Sequence, residues 1–157
     1  RARITAVSNL DSRQGSLYTG NNQLLARLKF SGARSDSKTH LRLSQLLFSI
    51  NQTGGVTLSN VLLKADGSDT TSSCSVASVT VTCASIPTDI GQVDEGREIR
   101  VYGDVTVPSS ADNPSLLLIL NDPGTIHTAG DIAWMDADTT FTWVDLGQPV
   151  VRGTLFQ

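Results

Sequence analysis

The strongest constraint in this chain is an alternation of apolar and polar residues with a period of two. Residues 98–107, EIRVYGDVTV, set Ile99, Val101, Gly103, Val105 and Val107 on one side and Glu98, Arg100, Tyr102, Asp104 and Thr106 on the other. Residues 23–31, QLLARLKFS, set Leu24, Ala26, Leu28 and Phe30 against Arg27 and Lys29. Successive side chains of a strand point to opposite faces, so both segments predict strands that are dry on one face and wet on the other. No stretch keeps a helical 3.6-residue period for more than about two turns. Composition agrees: the 157 residues hold 35 Ser and Thr, 13 Asp against two Glu, and nine Arg against three Lys. Glu and Lys stock helix surfaces, whereas Thr, Ser, Val and Asp stock strands and turns.

Residues 41–50, LRLSQLLFSI, start with Leu41 and Leu43 and then change phase to Leu46, Phe48 and Ile50. That shift predicts a β-bulge near Ser44 and Gln45. Further strands are expected at 2–8, 56–65, 116–120, 131–135, 139–144 and 150–156, with 116–120 apolar on both faces and therefore inside a sheet or under a loop. Turn residues such as Gly54-Gly55, Asp66-Gly67 and Asp122-Pro123-Gly124 separate them, and one 3₁₀ turn is expected around 86–90. About nine strands at intervals of roughly 10–18 residues imply an all-β antiparallel sandwich. The length fits one domain. It divides into an N-terminal strand and linker, residues 1–22, and a sandwich body, residues 23–157.

The first strand alternates Ala2, Ile4 and Ala6 against Arg3, Thr5 and Val7, and a polar Ser-, Gly- and Asn-rich stretch follows it. Fully extended, that stretch reaches ~45 Å. Ala2, Ile4, Ala6 and Val7 are therefore the candidate assembly strand: they pair within their own sheet or are donated to a neighbouring copy. Strand addition supplies backbone hydrogen bonds and side-chain pockets, and a head-to-tail version propagates.

Cys74 and Cys83 bracket an alternating segment with a small-residue centre at Ala77-Ser78, which predicts a hairpin closed by a disulfide. A two-residue turn at Ala77-Ser78 would pair Cys74 with Val81, one diagonal from Cys83, and a different turn or a bulge would correct the register. Two reduced, buried thiols are the alternative. A disulfide implies an oxidising compartment, hence an extracellular or cell-surface location.

Residues that could carry chemistry are few. His40 stands at a strand start and His127 in a Thr-rich loop, and no Gly-x-Ser-x-Gly elbow accompanies them. Asp131, Asp136 and Asp138 are weak candidates for a calcium site, with hairpin turn residues as the plainer reading. No other cofactor is expected. Trp134 and Trp143, with Phe141, are weak candidates for a glycan platform, with core or interface packing as the plainer reading. A net charge of −3 argues against nucleic acid as a partner. No apolar run approaches the ~20 residues of a membrane-spanning helix. Asn51-Gln52-Thr53 is a glycosylation sequon. The chain opens on Arg1, as a processed chain or an excised segment does.

The order of these features resembles the Ig-like repeats of large bacterial cell-surface, S-layer-like or filament-forming proteins. The likeness runs through LLARLKF, LRLSQLLFSI, VTLSNVLLKADG and REIRVYGDVTV to the closing DIAWMDADTTFTWV and PVVRGTLF, nearly the whole chain. It is one of pattern, and the chain departs from it as a single module with a cysteine pair. The resemblance implies an Ig-like sandwich and a structural role: a wall, lattice or filament subunit without an active site, whose partners are copies of itself. A cell-surface adhesin or carbohydrate-binding module is the alternative, and a viral decoration module would use the same sandwich physics.

Overall fold

A computed structural model describes residues 2–10, 15–34, 36, 40–94, 96–120, 129–144 and 153–157. The chain is all-β, with two antiparallel sheets face to face. In chain order the described elements are β1 (Ala2–Asn9), β2 (Gly20–Arg34), β3 (Leu41–Thr53), β4 (Thr57–Ala65), β5 (Thr71–Ser73), β6 (Ser75–Val76), β7 (Thr80–Cys83), the helical turn α1 (Thr88–Gly91), β8 (Arg97–Thr106), β9 (Ser115–Ile119), β10 (Ile132–Asp136), β11 (Thr139–Phe141) and β12 (Thr154–Phe156). The first sheet runs β1-β2-β8-β4-β5. The second runs β11-β10-β3-β7-β6, with β9 also on β3 and β12 on β9.

β8 and β3 are the middle strands of the two layers. β8 turns Ile99, Val101 and Val105 inward, and β3 turns Leu41, Leu43, Leu46, Phe48 and Ile50 inward. Each buried aliphatic or aromatic side chain of this size contributes roughly 1.5–3 kcal/mol. In β3 the extra residue is Ser44: Gln45 pairs with Ala133, and Leu43 pairs with Trp134. The bulge therefore lies where the phase shift placed it. Along one edge of β3, β10 covers residues 41–46 and β9 covers residues 49–53, while β7 takes the other edge. β9 lies inside its sheet, between β3 and β12, with Leu116 and Leu118 buried on one face and Leu117 and Ile119 half-buried on the other.

Three details depart from the sequence reading. In β2, Leu24 pairs with Tyr102 and Ala26 with Val101, so Leu25 is an extra residue. Leu25 is buried and Leu24 is exposed, the reverse of strict alternation. In β1, a shift between Ile4 and Ala6 sends Ile4 and Val7 inward and leaves Ala6 exposed. The turn at 86–90 is one α turn, Thr88–Gly91, closed by hydrogen bonds from Gly91 to Pro87 and from Gln92 to Thr88.

Within this chain the described part of the N-terminal segment packs on both sheets. β1 is the edge strand of the first sheet and pairs with β2 from Ala2↔Arg34 to Asn9↔Leu28. The Leu10 N–H extends the ladder to the Arg27 carbonyl. Gly15 and Leu17 hydrogen-bond Leu155 and Gln157, so residues 15–17 lie against β12 in the second sheet. The Asn9 amide donates to the Thr154 hydroxyl at 2.9 Å and ties the two layers together.

Candidate functional site

Cys74 and Cys83 are joined in a disulfide. Ser75 pairs with Thr82 and Val76 with Val81, so the two cysteines face each other directly across the hairpin. The Ala77 N–H donates to the Thr80 carbonyl, which places the two-residue turn at Ser78-Val79, one residue later than the small-residue centre suggested. Cys74 is the point where the chain leaves β5 in the first sheet for β6 in the second, and its N–H still donates to Val61 of β4. The bond thus clamps one layer to the buried heart of the other.

The candidate assembly strand is the edge formed by β1. Among the described residues no strand pairs with its outer side, and it is eight residues long. The other edges are short: β5 and β11 have three residues each and β6 has two. Ile4 and Val7 anchor β1 to the core, while Arg3, Thr5, Ala6 and Ser8 are exposed. At the far edge of the same sheet, β5 pairs with Leu62, Leu63 and Lys64 of β4. Among the described residues no strand covers positions 57–60 of β4 on that side.

The outward face of the first sheet carries three parallel rows across β2, β8 and β4. Strand register sets Arg27 beside Arg100 beside Lys64. Like charges directly opposite repel, and Glu98 holds this row together. Its Oε1 accepts from Arg27 Nη2 at 2.6 Å, and its Oε2 accepts from Arg100 Nε at 2.8 Å. Burial works against the charge on Glu98, but the bonds from Arg27 and Arg100 outweigh it, and the carboxyl lies below its ordinary value. Arg100 also reaches Asp66 at 3.3 Å and bonds Tyr102, while Lys64 faces Asp69 at 3.9 Å. The second row is apolar: Leu24, Tyr102 and Leu62, again directly opposite one another. The third centres on Asp104. Its Oδ1 accepts the Asn22 N–H and its Oδ2 accepts the Asn60 amide, both at 2.8 Å. These two bonds, the one from Asn60 foremost, hold the Asp104 carboxyl below its ordinary value. Asn22 and Asn60 have φ of 51° and 48° at irregularities on either side of β8, a conformation Asn tolerates better than most residues.

A second polar cluster closes one end of the sandwich. Asp94 accepts from His40 Nδ1 at 2.8 Å, from Gln92 Nε2 at 2.7 Å and from the Leu41 N–H, with Arg34 at 3.6 Å. Burial alone would raise the Asp94 carboxyl; the hydrogen bonds from His40, Leu41 and Gln92 outweigh it and hold the carboxyl below its ordinary value. His40, Arg42, Thr88, Gln92, Ala137 and Asp138 line a shallow cleft of about 230 Å³ beside it. His127 lies outside the described residues.

Of the remaining candidates, the aromatic residues come together. Trp134 is 5% exposed, stacks on Phe141 at 4.5 Å and donates Nε1–H to the Trp143 carbonyl. It is a core side chain and offers no open indole face; Trp143 is half-buried, edge-on to Phe141. Asp136 lies in β10, Asp138 at the β10–β11 turn beside His40, and Asp131 just before β10. Among the described residues no group of three or more His, Cys, Asp or Glu side chains is placed to hold a metal ion. No helix among them is long and apolar enough to cross a membrane.

Sequence reasoning missed the Asn22–Asp104–Asn60 clasp. Asparagine is depleted in strands, so Asn60 within the segment 56–65 was the available sign of irregular backbone; Asn22, in the stretch assigned to the linker, gave none. No family model matches the chain, and no curated protein matches it.

Proposed function

We propose that this protein is an extracellular structural subunit that associates with copies of itself through the open edge of β1. The observation that carries this reading is the length of that edge. β1 is eight residues long and, among the described residues, no strand lies on its outer side, which makes it a template for another strand. The irregularity between Ile4 and Ala6 twists the edge and restricts pairing to a strand that fits it. The uncovered stretch of β4, residues 57–60, gives such a strand a place on the opposite edge of the same sheet in the next copy. A contact between two different edges repeats without closing, which builds a filament or layer. The Cys74–Cys83 disulfide supports an oxidising compartment.

The test is sedimentation velocity with negative-stain electron microscopy of the wild type and of Ala6→Lys with Ser8→Lys. Both residues are exposed on β1, and lysine on an edge blocks pairing. The wild type should form concentration-dependent oligomers and the variant should sediment as a folded monomer. A wild type that stays monomeric at every concentration, or a variant that assembles equally well, overturns the reading.

A further inference from the structure

We infer that the outward face of the first sheet is a binding surface for an uncharged, linear glycan, laid across β2, β8 and β4 over the row Leu24, Tyr102 and Leu62. The role is independent of the β1 edge.

A sugar ring is amphipathic in a particular way: its faces are C–H surfaces and its rim is a ring of hydroxyls. The three rows repeat that pattern in negative. The apolar row receives the ring faces. On one side lie the donors Arg27, Arg100 and Lys64, and on the other Asn22, Asp104 and Asn60, so one rim meets donors and the other meets both donors and acceptors. Rows on one face of a sheet repeat every second residue, about 7 Å apart, which leaves the apolar row one ring wide. Three neighbouring strands span roughly 10 Å, enough for a short run of consecutive units. Leu24 is 39% exposed, and Tyr102 and Leu62 are half-buried, so the row meets solvent most at its β2 end.

Charge decides between a neutral and an anionic chain. Arg27, Arg100, Lys64 and Lys29 are matched by Glu98, Asp66, Asp69 and Asp104 on the same face. Glu98 bonds Arg27 and Arg100, and Asp66 pairs with Arg100. The guanidinium groups are oriented and their charge is compensated, so they serve as fixed hydrogen-bond donors rather than as an anion trap. At the Lys64 end, the turn formed by Asp66, Gly67, Ser68 and Asp69 rises beside Arg100 and Tyr102 to form a cleft of about 320 Å³, which gives the chain a wall to end against. The sequence pointed to tryptophan for a glycan platform; the geometry points to Tyr102 on the other sheet.

The experiment is a two-dimensional amide NMR titration of the intact, disulfide-bonded protein with cellohexaose and with chitohexaose, and with oligogalacturonate as the anionic comparison. Binding of a neutral hexasaccharide should shift amides at Leu24, Leu62, Gly67, Arg100 and Tyr102, and leave those around Trp134 in place. Tyr102→Ala should weaken that binding about tenfold, and Tyr102→Phe, which keeps the ring, should retain it. Both variants are checked for an undisturbed fold by their remaining amide shifts. Absence of shifts with both neutral sugars overturns the inference. So do shifts that map elsewhere, binding of oligogalacturonate alone, or shifts of the same residues with protein concentration in the absence of sugar, which would make a second copy the occupant.

Discussion

Outside the core, Asp94 ties the end of β2 to the start of β3. It satisfies the first backbone N–H of β3 and gathers His40, Gln92 and Arg34 at the end where the layers meet. Asp94→Ala strands those donors and should cost about 1–3 kcal/mol at pH 7, read by urea unfolding. The pH dependence follows from the direction of the shift. A carboxyl lowered by folding stabilises fully above its unfolded value, near 3.8 for Asp94, and that contribution is lost as pH falls through the lower folded value. The gap between wild type and Asp94→Ala should therefore close under acid, and an unchanged gap at pH 2 would refute the assignment. Glu98 follows the same rule. None of this was legible in the sequence. His40 and Asp94 are distant in the chain, and spacing carries no signal for partners that only the fold brings together. Glu98 read as an exposed strand residue, although two arginines cover it to 9% exposure.

At the scale of elements, periodicity worked where side chains differ sharply and failed where they do not. Ser44 and Gln45 interrupt a run of leucines, so the bulge in β3 was visible. Leu24, Leu25 and Ala26 are all apolar, and either phase satisfied the pattern until packing chose Leu25. Alanine is equally indifferent, so Ala2 and Ala6 gave no warning that Val7 would turn inward. Strands of two or three residues, such as β5, β6 and β11, are too short to show a period at all. The hairpin turn moved by one residue because cross-strand register places Cys74 opposite Cys83, a condition the composition of the turn does not express. β1 also offers a test of how copies join. Ser8 and Lys29 are register partners with exposed side chains, so Ser8→Cys with Lys29→Cys can lock β1 to β2. If copies add at the edge with β1 in place, the oxidised variant should still associate. Loss of association on oxidation, restored on reduction, would mean that the strand leaves its own sheet to join a neighbour.

Over the whole molecule, two features keep the layers in register: the Asn9–Thr154 bond at one margin and the Cys74–Cys83 bond at another. Closing a loop of about ten residues stabilises by roughly 2–3 kcal/mol in the chain-entropy view. Cys74→Ala with Cys83→Ala should lower the unfolding free energy by that order, with the far-ultraviolet circular dichroism of the folded state unchanged; a variant as stable as the wild type would count against the clamp. The covalent link also has a mechanical side. A subunit pulled from its two ends transmits load along the chain, and the bond lets force bypass the segment from Cys74 to Cys83. That segment then stays slack however hard the ends are drawn apart. Nine residues at 3.3–3.6 Å each reach about 30 Å, and the bond spans 4.3 Å between Cα atoms, so the fully stretched molecule is about 26 Å shorter than its reduced form. Tension would therefore be borne by the strands outside the β6–β7 hairpin, and the hairpin would carry none of it.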